Sequence, residues 1–140
     1  MMSLCGRKTI LFVEDEELCR ITLLAVLERN GYNTIVAVDG FDALVKAKEH
    51  KGEIHLLLSD ILMPGMTGIE LATQLLIERP GTAILLISAV PHGRWILEHG
   101  WQFLSKPFRT QILKRKIEGM LSDKPEHSRD QPDPESPVRR

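Results

Sequence analysis

The stretch that most constrains this chain is LLLSDILMPGMTGIEL, residues 56–71. Leu56, Leu57, Leu58 and Ser59 carry no side chain that demands solvent, and the run stops at Asp60, which is followed by Pro64-Gly65 and Gly68. A short apolar run bounded by turn residues reads as a buried strand that delivers a carboxylate to a loop. In open parallel α/β sheets, ligands sit outside the carboxyl ends of the strands, so an Asp at that point is placed for chemistry. Position alone leaves a second reading equally open, in which Asp60 begins a turn or caps the next element.

Three other runs decide between these readings. Thr9 to Val13 ends in Glu14-Asp15-Glu16-Glu17, Ala83 to Ile87 ends in Ser88-Ala89, and Phe103 to Ser105 ends in Lys106-Pro107. Four apolar runs therefore finish in acids, an acid, a hydroxyl and an amine. The ordered set VEDE, SD with MPGMTG, ISA and FLSKPF resembles the receiver domain of bacterial two-component response regulators over residues 7–121. Each motif alone is weak, but the four in this order are specific.

Between the strand-like runs lie segments of helical periodicity. Residues 16–30 carry Leu18, Ile21, Leu24, Ala25 and Leu27 at helical spacing and stop at Asn30-Gly31. Thr34 to Val38 is β-branched and short, and Asp39-Gly40 then opens a helix with Phe41, Leu44, Val45 and Ala47 as its apolar positions. Residues 69–79 place Leu71, Ala72, Leu75 and Leu76 on one face before Pro80-Gly81. Residues 91–100 leave room for a short helix only, and residues 109–121 make the last one.

Strands alternating with helices predict an α/β fold with a parallel, doubly wound sheet. The resemblance implies five strands in the flavodoxin-like order 2-1-3-4-5, a class for which a chemotaxis receiver is a standard example. That order sets the acidic ends of the first and third strands side by side. Lys106 follows Ser88 by 18 positions, about four fewer than the family usually has, or roughly one helical turn. A shortened fourth helix is therefore expected, and the output surface usual in the family is not carried over.

A chain of 140 residues suits one domain. Apolar residues at 43% and charged ones at 26% are enough to close a core. With 18 Lys+Arg against 19 Asp+Glu the net charge is -1, so no basic excess points to nucleic acid. No apolar run approaches the roughly 20 residues that span a bilayer, and MMSLCGRKT has no signal-peptide core. A cytoplasmic protein without membrane partners is expected. Cys5 and Cys19 are too few for a disulfide framework or a thiolate metal site, and the five histidines are scattered surface residues by their spacing. Residues 1–6 read as an extension, and the proline-rich residues 122–140, with Val138 as the only aliphatic residue after Leu121, read as a disordered tail.

Converging Glu14, Asp15 and Asp60 would repel one another without a cation or protons, and an oxygen-only set of this kind suits Mg²⁺. Glu16 and Glu17 read instead as acids complementing a helix N-terminus. The resemblance implies that Asp60 accepts a phosphoryl group from the phosphohistidine of a sensor histidine kinase or a histidine phosphotransfer protein, giving an acyl phosphate. It implies that Asp15 binds Mg²⁺ directly, Glu14 directly or through water, and the backbone carbonyl of Leu62 as a further ligand. Lys106 is the matching cation, and Ser88 and Phe103 match the switch hydroxyl and switch aromatic. Lys106-Pro107 matches a bond that is usually cis in the family. Glu14 stands where members usually have Asp, which lengthens its reach to the ion. Leu62 and Val90 occupy the positions that flank the water that hydrolyses the acyl phosphate, and both are apolar, so slow self-dephosphorylation is expected.

Rival chemistries fit less well. An aspartate-nucleophile phosphatase wants a second acid two residues after Asp60, and that residue is Leu62. A flavodoxin wants a hydroxyl-rich phosphate loop where Glu14-Asp15-Glu16-Glu17 stands, and no Walker or dinucleotide loop is present. Turnover of an external substrate is not expected. Two readings remain: a stand-alone phosphorylated switch that signals through an unknown downstream protein, and a receiver-fold docking module that is never phosphorylated.

Overall fold

In the computed structural model, residues 6–89, 96 and 99–122 are described. The chain runs β1 (Thr9–Val13), α1 (Glu17–Arg29), β2 (Asn33–Ala37), α2 (Gly40–Glu49), β3 (Leu56–Asp60), α3 (Gly68–Glu78), β4 (Ala83–Ser88), β5 (Gln102–Ser105) and α4 (Thr110–Met120). All strand pairs are parallel and the order is β2-β1-β3-β4-β5, as expected.

The strands read as unbroken apolar runs because helices cover both faces of the sheet. Side chains alternate between those faces. Leu11, Val13, Leu57, Ile84 and Leu86 join Ala43, Ala47, Leu71, Ala72 and Leu75 of α2 and α3 in one core. Ile10, Phe12, Leu56, Leu58, Leu85 and Ile87 join Leu23 and Leu27 of α1 and Leu113 and Ile117 of α4 in the other. Trp101 is buried in the first of these cores.

Two helix starts fix the loops that follow β2 and β3. The Asp39 side chain accepts from the Asp42 amide at 2.8 Å to cap α2. Thr67 and Glu70 form a reciprocal capping box at α3, with bonds of 3.1 and 3.0 Å, which satisfies two amides that a helix start leaves open.

Two helix faces differ from those the periodicity suggests. On α1, Leu23, Val26 and Leu27 are buried while Leu18 and Ile21 are 71% and 55% exposed. On α2 the buried positions are Gly40, Ala43 and Ala47, and Phe41 and Val45 are exposed. Both helices carry more apolar positions than one face holds, and on α2 it is the small alanines that turn inward. Of residues 91–100 only Ile96, helical and buried, and the turn at His99 and Gly100 are described. The shortened helix expected between β4 and β5 therefore falls largely outside the described residues, as do Val90, His92, Trp95, Cys5 and residues 123–140. No helix among the described residues is long and apolar enough to cross a membrane.

Candidate functional site

Strand register assembles the site. β1 and β3 pair with Val13 opposite Ser59, so the next residues, Glu14 and Asp60, emerge side by side at the carboxyl end of the sheet. Asp60 is opposite Ile87, and Ser88 is opposite Ser105, which brings Ser88 and Lys106 to the same end. The Lys106 amide donates to the Ser88 carbonyl at 2.9 Å and the Ile61 amide to the Ile87 carbonyl at 2.9 Å. The ladders thus continue past the last strand residues and hold the loop bases together.

At the centre, Asp60 is 7% and Glu14 2% exposed. Lys106 Nζ donates to Asp60 Oδ2 at 3.3 Å, lies 3.1 Å from Oδ1 and is 3.9 Å from Glu14 Oε1. The 3.1 Å approach is an ion-pair contact without hydrogen-bond geometry, so Oδ1 is left, buried, without a hydrogen bond. Such an atom is costly in a low-dielectric site unless a further donor or cation meets it. One carboxylate oxygen from each of Glu14, Asp15 and Asp60 lies within 4.8 Å of the other two, with Asp15 on the exposed side.

This crowding shows in the protonation of the groups. Burial, a hydrogen bond with Asp60 and the Asp60 charge push Glu14 up to about 7, against the opposing pull of the Glu16 amide and Lys106. For Lys106, burial acts downward, but the hydrogen bond to Asp60 and the charges of Asp60 and Glu14 outweigh it and hold its pKa above the usual value. An oxygen-only set with one orphaned buried oxygen and an excess of negative charge fits a hard divalent cation such as Mg²⁺.

The remaining residues singled out in the sequence take flanking positions. Ser88 is buried at the end of β4. Phe103 on β5 is opposite Leu86, two residues before Ser88, and packs partly buried against the α2–α3 core. Leu62, just beyond Asp60, is 60% exposed. The Lys106-Pro107 bond is cis. Asp60, Glu14, Asp15 and Lys106 form one cluster, then, with Ser88, Phe103 and Leu62 around it.

Sequence reasoning missed three supports. The Ser59 hydroxyl donates to the Asp60 carbonyl at 2.8 Å. Arg20 Nη1 donates to the Glu14 carbonyl at 3.0 Å. Gly68, noted only as a turn residue, lies so close to Asp60 and Ile61 that a Cβ there would run into the Asp60 carbonyl. Beside Lys106, Leu18, Cys19, Leu23, Pro107 and Phe108 line an apolar groove of about 450 Å³. The Cys19 thiol is pushed up to about 11, first by its hydrogen bond with Glu16 and then by burial, so it stays protonated.

Comparison with known proteins agrees with this geometry. The sequence model of the family described as "Response regulator receiver domain" matches residues 10–118. The chain is 40% identical over 121 residues to the alkaline phosphatase synthesis transcriptional regulatory protein PhoP of Bacillus subtilis, covering 81% of this chain and 48% of that protein. It is 29% identical to Protein PilH of Pseudomonas aeruginosa, covering 81% of this chain and 97% of that one. The response regulator TrrA of Thermotoga maritima, solved with Mg(2+)-BeF, superposes with a TM-score of 0.72 at 33% identity, covering 81% of this chain and 99% of that one. Of three larger curated relatives, PhoP among them, the chain spans only 13% to 48% of the length. With its acidic cluster at the carboxyl end of a 2-1-3-4-5 sheet, the chain belongs to the family of response regulator receiver domains of two-component signalling.

Proposed function

We propose that this chain is a self-contained phosphorylation switch whose receiver unit spans residues 7–121 and whose acceptor is Asp60. The carrying observation is a buried Asp60 carboxylate that Lys106 contacts at both oxygens while one of them, Oδ1, has no hydrogen bond. An Asp60 oxygen attacks the phosphorus of a phosphohistidine on a sensor kinase or phosphotransfer protein as the P–N bond breaks. The electron pair returns to the imidazole nitrogen, and an acyl phosphate forms on Asp60. Bound Mg²⁺, held by Asp15, Asp60, Glu14 and the Leu62 carbonyl, would supply charge neutralisation at the phosphoryl oxygens.

The chain's own groups do the rest. Lys106 already faces the Asp60 carboxylate and is kept protonated by it, so it pairs with a phosphoryl oxygen without reorganising. Ser88, at the neighbouring strand end, donates its hydroxyl to a second phosphoryl oxygen, and Phe103 follows the movement of that loop. The output is contact with a downstream protein in the cytoplasm and not turnover of an external substrate. Coverage of 97% of PilH supports a unit that acts without a fused output domain.

Intact mass after incubation with Mg²⁺ and a small phosphoryl donor tests this reading. One added phosphoryl group is expected, absent without Mg²⁺ and absent in Asp60→Asn. A folded protein that gains none would favour a docking module that is never phosphorylated.

A further inference from the structure

Among the three carboxylates of the cluster, two are held by their side chains. Lys106 fixes that of Asp60, and the Glu16 amide fixes that of Glu14 by donating to Oε2 at 3.0 Å. The Asp15 carboxylate makes no hydrogen bond or ion pair among the described residues, and the residue is exposed. Its position is therefore set by the backbone on either side of it. That backbone is gripped twice by one residue: the Arg20 amide donates to the Glu16 carbonyl at 2.9 Å, and Arg20 Nη1 donates to the Glu14 carbonyl at 3.0 Å. A third bond, from the Glu14 amide to the Ala37 carbonyl at 3.2 Å, ties the start of the segment to β2.

We infer that Arg20 is a positioning residue for the metal side of the site, bracketing residues 14–16 so that the Asp15 carboxylate stays aimed at Asp60. The inference rests on the reading of the acidic cluster as a Mg²⁺ site. The bond to the Glu14 carbonyl spans six positions and crosses from helix to strand end, so it is more than the helix's own hydrogen bonding. A guanidinium suits the task, since it stays charged and its planar fork loses little freedom on docking. Arg20 acts through the backbone and touches no carboxylate of the cluster in its side-chain hydrogen bond.

Two effects of removing Arg20 oppose each other, and their difference in sign makes the test decisive. By charge alone, loss of a cation beside an acidic cluster tightens the binding of a second cation. By positioning, it loosens Asp15, and loss of such an outer support typically weakens metal binding about tenfold or more. Calorimetric titration of the full chain with Mg²⁺ alone should show Arg20→Met binding about tenfold more weakly, with Arg20→Lys recovering part of the loss. In the metal-free protein, exchange of the Glu16 amide should accelerate in Arg20→Met while amides in β3 keep their protection, which shows that the fold is intact. Unchanged or tighter Mg²⁺ binding in Arg20→Met, or an unchanged Glu16 amide, would overturn the inference. Asp15→Asn separates its failure from that of the underlying reading. If Asp15→Asn binds Mg²⁺ as well as the wild type, or the wild type binds none, the metal site itself is wrong and the role of Arg20 falls with it.

Discussion

Lys106 Nζ stands 3.1 Å from one oxygen and 3.3 Å from the other oxygen of Asp60, a residue 46 positions earlier in the chain. The contact joins the ends of β3 and β5, two strands separated in the sheet by β4. It also places the main local cation against the most enclosed part of an acidic cluster. Removing it takes away the positive charge that faces Asp60 and Glu14. Lys106→Met should lower the urea stability of the Mg²⁺-free protein by about 2 kcal/mol, the usual scale for a hydrogen bond to a charged group. Added Mg²⁺ should restore much of that loss. Equal stability of the two proteins without Mg²⁺ would show that the pair contributes nothing to the fold.

Glu14 gives the metal-free protein a pH dependence of definite sign. Its folded-state value, about 7, is above its ordinary value of 4.5, so the folded state holds that proton more tightly than the unfolded chain. The stability this contributes is fully present below the ordinary value and is lost as pH rises through about 7. Without Mg²⁺, the wild type should lose stability over this range relative to Glu14→Gln, whose amide does not ionise. Parallel stability curves for the two proteins would contradict the assignment.

Gly68 allows α3 to begin directly against the end of β3. Its amide donates to the Ile61 carbonyl at 2.8 Å, and a Cβ at this position would collide with the Asp60 carbonyl. Since the obstacle is backbone and not a movable side chain, Gly68→Ala should cost about 2 kcal/mol, within the range for overpacking. It should also slow phosphorylation by displacing Asp60. Gly81→Ala, where a Cβ meets nothing within 4 Å, is the control and should change neither property.

Leu62 is exposed just beyond Asp60 and offers no group to orient a water. Replacing it with Asn should shorten the lifetime of the phosphorylated protein severalfold, measured as decay of the added mass after the donor is removed. An unchanged lifetime would mean that water reaches the acyl phosphate by a route that Leu62 does not border.

The parts of this molecule legible in its sequence share one physical origin. Strands buried on both faces leave unbroken apolar runs such as Leu56 to Leu58, and the polar residue that ends each run marks the carboxyl edge of the sheet. Asp60, Glu14, Asp15, Ser88 and Lys106 were visible for that reason, whereas the strand order came only from the family that their motifs resemble. Helix faces were less legible, because Leu18, Ile21, Phe41 and Val45 are apolar yet exposed, and periodicity alone does not say which apolar stripe turns inward. Contacts made to the backbone left no pattern at all. Ser59, Arg20 and Gly68 each support the site through a carbonyl, and nothing in a residue's type announces which carbonyl it will meet.

Chemical trapping of the phosphoryl group tests the central claim most directly. An acyl phosphate is reduced by borohydride, and an aspartyl phosphate treated in this way becomes homoserine. Peptide mapping of the phosphorylated and reduced protein should find homoserine at position 60 and nowhere else. Homoserine at another acid, or a phosphoryl group that resists borohydride because it sits on a hydroxyl, would contradict the assignment of Asp60 as the acceptor.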